Sequence, residues 1–542
     1  GRDEADSSVK RLNFIALDYL IYTSEVIGNI RESYPVGTIL TVIGLVAVVV
    51  SWALLQWVRR VPAAPLSLRQ RGATFVAGIA LPATLLTVAS VDQMEGSKNA
   101  YADELSGNGL FTLAAAARRN ELDYMKFYRT LPADTVRKTL AELGIERQPT
   151  LEMRRLSYTN DHAGMSSPYF TRKPKHLVLV SIESLSASFV GSYGDDKNLT
   201  PNLDALARDG LRFAQVYATG TRTVRGLEAL SLGTPPVPGQ AIVRRPGNAH
   251  LTTLGEVLEH QGFDTYFFYG GYGYFDNMNA YFSANDYRVI DRTDIPSDRI
   301  VFENVWGVAD EVLFDTVITE LDRRAGTSKP FFAHVMTTSN HRPYTYPEGR
   351  IDIPSPGGRR GAVKYTDYAI GKFIRDAQTR PWFKDTLFVF VADHCASVAG
   401  KTRLPVKHYH IPLVMYSPGN LKAGVYSPMI SQIDIVPSLI EALGQRGDEL
   451  FFGRSVFGAE PPTERAFISN YQELGYLKHN KLTVLLPKRR VQAFDVDPET
   501  REATPSAIDP QLLNEAIAYY QSASTDFRSG LLGAPFYSKA GR

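Results

Sequence analysis

Between His176 and Leu443, short apolar, β-branched runs alternate with helical patterns, and few folds accommodate such a chain. His176-Leu-Val-Leu-Val-Ser-Ile182 lacks the polar alternation of a half-solvated strand, so it predicts a strand covered on both faces. Further strands are expected at 213–217, 265–269, 330–336, 386–392 and 412–416. Helices are expected at 200–210, 251–261, 310–324, 363–376 and 434–443. The first of these carries its own punctuation, with Thr200 at the N-cap, Pro201 at the first helical position and Gly210 past the end. Alternation of this kind predicts an α/β sandwich around a largely parallel sheet.

In open α/β sheets the working residues gather beyond the carboxyl ends of the strands. Glu183 directly follows the run 176–182, and Asp393-His394 directly follows Leu387-Phe-Val-Phe-Val-Ala392. His341 comes shortly after the strand ending at Met336. Thr223 lies in Ala218-Thr-Gly-Thr-Arg-Thr-Val-Arg-Gly-Leu-Glu228, a hydroxyl-rich turn at the start of a helical pattern. A helix N-terminus flanked by Arg222 and Arg225 suits an anionic tetrahedral group. Taken singly, each residue has a plainer role: a threonine that caps a helix, a carboxylate that accepts loop hydrogen bonds, an ordinary loop histidine. Taken together, two carboxylates, an imidazole and a hydroxyl form a coherent set for one divalent ion, manganese, zinc or magnesium. Such an ion would activate Thr223 as a nucleophile toward phosphorus.

The remaining chain sets the context. Val36 to Val58 carries no charged residue and is followed by Arg59 and Arg60, with Trp52 and Trp57 near that end. This reads as a transmembrane helix, and 74–91 as a second. The loop from Arg59 to Ala73 holds four arginines and no acid, which places it in the cytoplasm and everything after Val91 outside. The chain has no Met start and no signal-peptide pattern, so it reads as beginning within a longer protein. Residues 1–91 are therefore assigned to a membrane region. Residues 92–175 are assigned to a juxtamembrane linker with helices at 113–131 and 133–143. A catalytic domain is expected over 176–444, and a smaller subdomain over 445–542, with strands at 466–471 and 482–486 and a helix at 509–522. The formal net charge of +2 over 542 residues gives no reason to expect a nucleic-acid partner. With one cysteine, Cys395, no intramolecular disulfide is possible.

Ile182-Glu183-Ser184-Leu185, Leu199-Thr-Pro-Asn-Leu203, Gly220-Thr-Arg-Thr-Val-Arg-Gly226, Ser339-Asn-His341 and Val391-Ala-Asp-His394 follow the order of motifs in the alkaline-phosphatase and sulfatase superfamily. Within it the chain most resembles lipoteichoic acid synthase-like phosphoglycerol transferases, and it is similar to lipid A phosphoethanolamine transferases. The resemblance implies metal ligands at Glu183, Thr223, Asp393 and His394, with Thr223 as nucleophile. It implies that His341, Arg222 and Arg225 steady the phosphate, and that His408 or His410 serves a second metal or the departing oxygen. Where lipoteichoic acid synthases hold glycerol phosphate with His, Trp and Arg, this chain has Tyr269, Asp276 and Asn277. The nucleophile turn also lacks the Cys or Ser followed by Pro and Arg that formylglycine sulfatases need.

The function implied is transfer of a phosphoglycerol head group from a phospholipid such as phosphatidylglycerol to a glycan or lipid acceptor, through a phospho-threonine. The setting implied is the periplasmic face of a bacterial inner membrane. A membrane-tethered phosphodiesterase or phosphatase using water, and a phosphoethanolamine transferase, are the alternative enzymes. A catalytically silent receptor or scaffold is a third class.

Overall fold

The structure, a computed structural model, describes residues 22–60, 67–88, 122–146, 148, 150–153, 167–325, 327, 329–396, 404–458 and 463–536. The chain divides into two compact units, Gly1–Arg118 and Arg119–Arg542.

The first unit contains helices α1 (Thr23–Ser33), α2 (Val36–Arg60) and α3 (Leu68–Val88). Among the described residues α2 is the one helix long and apolar enough to cross a membrane. None of its side chains is buried, and Trp52 and Trp57 are exposed. The second expected span falls largely on α3, which opens with Arg69 and Arg71 and carries Pro82 within it. It does not meet the same standard of apolar length, and positions 89–91 lie outside the described residues.

In the second unit an eight-stranded sheet forms the centre. Its strands are β1 (His176–Ile182), β2 (Leu211–Tyr217), β3 (Asp264–Tyr269), β4 (Arg288–Ile290), β7 (Phe331–Met336), β8 (Thr386–Ala392), β9 (His410–Tyr416) and β10 (Gly424–Ser431), with the hairpin β5 (Glu303–Asn304) and β6 (Gly307–Val308) set apart. The order is β10-β2-β9-β8-β1-β7-β3-β4. Only β9 runs against its neighbours in this sheet. Every residue of β1, β7 and β8 is buried, as expected of strands covered on both faces.

Helices alternate with these strands: α6 (Pro201–Asp209), α7 (Thr223–Leu232), α8 (Leu254–His260), α9 (Met278–Ser283), α10 (Asp310–Ala325), α11 (Gly358–Ala377) and α12 (Ile435–Ala442), after two earlier ones, α4 (Tyr124–Phe127) and α5 (Ala133–Glu142). Thr200 stands at the N-cap of α6, but its hydroxyl accepts from Gly191 N and donates to Asp204 instead of capping. The helix expected over 113–131 is corrected in its described part. Asp123 caps a fresh turn by accepting from Met125 N, and Tyr128 is extended. The edge strand β10 has no expected counterpart. Its Pro428 falls at a register shift between Tyr426 and Met429, the kind of irregularity an edge tolerates.

A second, antiparallel sheet of β11 (Ala466–Ser469), β12 (Leu474–Lys478), β13 (Lys481–Leu486), β14 (Arg490–Val496) and β15 (Ala503–Pro505) is followed by helix α13 (Pro510–Ser529). Two buried ion pairs hold this part in place. Arg465 forks onto both oxygens of Asp434 at 2.6 and 2.8 Å. Lys478 and the Tyr476 hydroxyl both meet Glu515 Oε2 at 2.7 Å. Each charge has a hydrogen-bonded partner, the condition under which buried ions are tolerated.

Two histidines inside the main sheet set a pH limit on stability. Burial holds the His334 imidazole down at about 3. Burial, then the charge of Arg501, hold His410 at about 4 against the opposing pull of the Ala214 carbonyl. Both are neutral in the fold and take a proton on unfolding below about pH 6.5. Their contribution is therefore complete above that value and lost as pH falls toward about 4. The melting temperature should drop over this interval, His410 alone accounting for on the order of 3 kcal/mol at pH 4. Thermal melts of wild type and His410→Gln across pH 7 to 4 check this, with a shallower fall expected in the variant.

Candidate active site

Strand order brings the candidate residues together. β1 and β8 are parallel neighbours with Ile182 opposite Ala392, so Glu183 and Asp393 leave adjacent strand ends side by side. β7 flanks β1 on its other side and leads into the loop that carries His341. Glu183, Asp393 and His394 each place a ligand atom within 4.8 Å of the others. His394 Nε2 lies 3.5 Å from Asp393 Oδ2 and 3.9 Å from Glu183 Oε1. The Thr223 hydroxyl donates to Glu183 Oε2 at 3.1 Å.

Ser184 organises the carboxylates. Its hydroxyl donates to Glu183 Oε1 at 2.6 Å, and its backbone N–H donates to Asp393 Oδ1 at 2.8 Å. It holds a φ of 49° to do so. That left-handed conformation costs an L-residue about 1–2 kcal/mol and persists where surrounding bonds enforce it. The Asn340 side chain donates to the carbonyls of Glu183 and Ser184.

Thr223 is delivered from further away, because β9 separates β2 from β8. Gln432 closes the gap. Its side-chain nitrogen donates to the Ala392 and Asp393 carbonyls, and its oxygen accepts from Thr219 N at 3.1 Å. The small sheet braces the same turn, since Ser469 donates to the Thr219 carbonyl at 2.8 Å. Gly226, in the first turn of α7, permits the final approach: a Cβ there would lie 2.4 Å from the Asp393 carbonyl oxygen. Gly226→Ala should push α7 off Asp393 and cut turnover by roughly 10²-fold or more, with a smaller loss of binding. Steady-state kinetics of that variant check the placement.

The electrostatics fit a cation. Burial pushes Asp393 well above the usual carboxylate range, and the neighbouring Glu183 charge adds to this. For Glu183 burial also raises, but the His341 and His394 charges and bonds from Ser184 and Thr223 outweigh it, and its carboxyl is lowered. Burial lowers both His394 and His341, despite Glu183. His394 Nδ1 faces the Cys395 carbonyl at 2.8 Å, and His341 Nδ1 the Arg342 carbonyl at 2.9 Å. A carbonyl only accepts, so each Nδ1 carries a proton, and the Nε2 of a neutral His394 offers its lone pair to a cation. Among the described residues Asp393 Oδ2 is buried with no hydrogen bond, although Thr223 lies near enough to lower the carboxyl. Two apposed carboxylates, one of them with an orphaned oxygen, and an imidazole lone pair are a donor set that a divalent ion satisfies.

The sulfatase family profile matches residues 175–445. A solved protein of the alkaline phosphatase superfamily from Vibrio parahaemolyticus is 34% identical, with a TM-score of 0.68 over 75% of this chain and 99% of that one. The chain belongs to the sulfatase family of the alkaline phosphatase superfamily. It is 28% identical over 242 residues to phosphoglycerol transferase I of Salmonella arizonae, covering 41% of this chain and 31% of the relative. The same figures hold for the Salmonella choleraesuis protein, so the chain spans about a third of the length of these relatives. The lipoteichoic acid synthase LtaP of Listeria monocytogenes shares the fold, with a TM-score of 0.58 at 19% identity over 74% of this chain and 100% of that one.

Other sulfatase-family expectations sort by geometry. Arg222 and Arg359 both act electrostatically on His394. Arg359, at the start of α11, also reaches toward the Ser184 carbonyl at 3.5 Å and lies over the Tyr344 ring. Nothing in its local sequence marks it. Trp306 packs on His341 with ring centroids 4.0 Å apart and donates to the Arg342 carbonyl, again without a sequence signal. Arg225 is corrected: it turns inward, pairs with Glu228 at 2.8 Å and donates to the Val237 and Gly239 carbonyls. His410 lies in β9 with Nε2 donating to the Ala214 carbonyl at 2.9 Å, between the rings of Tyr193 and Tyr217. His408 is half-buried in the turn Val406–Tyr409.

Tyr269 ends β3, and Asp276 and Asn277 lie in the loop that follows. Tyr269 is buried with its ring against Gly271. Asp276 pairs with Arg244 at 3.5 Å, and Asn277 donates to the Val243 carbonyl at 2.8 Å. Cys395 is buried, donates to the His410 carbonyl, and is pushed up to about 12, chiefly by burial. Such a thiol is not a nucleophile.

Proposed function

We propose that the protein is a membrane-anchored phosphotransferase that moves a phosphoglycerol head group from a phospholipid, phosphatidylglycerol in the first place, to a glycan or lipid acceptor outside the cytoplasm. The observation that carries this reading is the Thr223 hydroxyl, 3.1 Å from Glu183 at the head of α7, beside a cluster fit for a cation. In this reading residues 176–444 perform the chemistry, 445–542 brace it, 92–175 link it to the membrane region, and α2 holds it at the bilayer of its donor. Similarity to phosphoglycerol transferase I supports the head group.

Glu183, Asp393, His394 and the Thr223 oxygen would hold one divalent ion, manganese in the first place. When bound, it supplies charge that favours the ionised hydroxyl and offsets the growing negative charge on phosphate. The Thr223 hydroxyl proton already has an acceptor in Glu183 Oε2. Thr223 Oγ forms a bond to phosphorus as the bond to the diacylglycerol oxygen breaks, and that oxygen takes up a proton. An acceptor hydroxyl then attacks phosphorus, gives up its proton, and restores Thr223. Arg222, Arg359 and His341 surround the charge that develops.

The test is incubation of purified protein with Mn²⁺ and phosphatidylglycerol, with and without an envelope glycan fraction. Diacylglycerol release with phosphoglycerol on the glycan is the expected result. Release of free glycerol phosphate at an equal rate without glycan identifies water as the acceptor instead. Turnover confined to phosphatidylethanolamine identifies the phosphoethanolamine transferase.

A further inference from the structure

Outside the Thr223 site a second set of ligand-type side chains closes on one point. His250, Glu256 and Asp286 each place a ligand atom within 4.8 Å of the other two. They come from the loop before α8, from α8 itself and from the turn before β4. His250 Nδ1 lies 3.8 Å from Glu256 Oε1.

Glu256 separates this group from an ordinary acidic cluster. Its side chain is 2% exposed, and among the described residues no hydrogen-bond donor reaches its buried Oε2. What faces it is the Asp286 carboxyl, a second acceptor. Burial first, then Asp286, then Glu259 push the Glu256 carboxyl up to about 8. A buried carboxylate facing another is relieved by a shared proton or by a cation. The imidazole at the third corner favours the cation, because one nitrogen and two carboxylates match the donors of zinc or manganese.

The strip that carries His250 also holds the end of the described chain. Ala534 N donates to the His250 carbonyl at 2.9 Å, and Thr252 N donates to the Leu532 carbonyl at 2.7 Å. Leu251 pairs with Gly533 in an isolated antiparallel bridge. Phe536 stacks on His260, centroids 4.2 Å apart. An ion that fixes His250 also fixes the strip on which residues 532–536 lie.

We propose that His250, Glu256 and Asp286 form a second divalent transition-metal site, separate from Glu183, Asp393 and His394, whose occupancy fastens the segment after α13 to the catalytic body. The probe is Zn²⁺ alone, added to the full chain, with bound metal counted after gel filtration. Wild type should hold two equivalents, Glu256→Gln one and Asp393→Asn one. Amide exchange at Thr252 and Ala534 should slow by about tenfold with Zn²⁺ in wild type and not respond to Zn²⁺ in Glu256→Gln or in Asp286→Asn. The second variant covers the case in which Glu256→Gln does not fold.

Equal zinc content in wild type, Glu256→Gln and Asp286→Asn overturns the proposal. So does exchange at Thr252 and Ala534 that ignores Zn²⁺ in wild type. Neither readout uses lipid turnover, so this site can fail while the transfer reading stands. A chain whose single equivalent is lost in Glu256→Gln and kept in Asp393→Asn supports this site and removes the ion from the other.

Discussion

Thr223→Ala should abolish head-group transfer, lowering kcat by at least roughly 10³-fold, while leaving the unfolding free energy within about 1 kcal/mol of wild type. The hydroxyl is half-buried and donates to Glu183 at 3.1 Å, so its removal costs one hydrogen bond and leaves the packing of α7 intact. Thr223→Ser separates chemistry from shape, because it keeps the oxygen and should retain measurable turnover. Intact-mass spectrometry during turnover should show a phosphoglycerol adduct on wild type, mapping to residue 223, and none on Thr223→Ala. A Thr223→Ala protein that turns over phosphatidylglycerol at the wild-type rate ends the nucleophile assignment.

Asp393→Asn should do two things at once. It should remove the ion from the Thr223 site and with it transfer, again by at least roughly 10³-fold. In chelator it should also be more stable than chelated wild type, by on the order of 1–3 kcal/mol, and melt higher. Asp393 Oδ1 accepts from Ser184 N and His394 N, and the asparagine oxygen keeps both bonds. Among the described residues Oδ2 is buried without a hydrogen bond; it faces His394 Nε2, with Glu183 adding like charge. An amide nitrogen there supplies a donor where the metal-free protein has opposed acceptors. Removing a ligand thereby stabilises the empty site, the trade between stability and activity expected at a functional cluster. Calorimetry with and without Mn²⁺ decides it, and a chelated variant that melts below chelated wild type counts against the ion site.

Much of this was legible in the linear chain because burial on both faces leaves a mark that needs no partner to read. Continuous runs such as 386–392 are strands covered above and below, and polar residues directly after them, Glu183 and Asp393-His394, stand out against the apolar background. Thr223 was marked by its hydroxyl-rich turn. Arg225 was misleading for a local reason: two arginines flank the threonine, and a helical offset of three carries the second onto Glu228 and away from the carboxylates. Asp276 and Asn277, read as standing where substrate ligands do, also tie their loop to Arg244 and to the Val243 carbonyl.

Residue types and spacing alone determined the class of fold, the order of its strands along the chain, and which polar side chains end up at strand termini. Which termini become neighbours was decided only in three dimensions, by pairing β8 against β1 and placing β9 between β8 and β2. The residues that complete the candidate site follow from that packing: Gln432 spans the gap between two strand ends, Gly226 admits a helix to carbonyl contact, and Arg359 and Trp306 arrive from distant segments. Hydrogen bonds and close contacts of this kind depend on distances across the fold, and no periodicity along a chain encodes them.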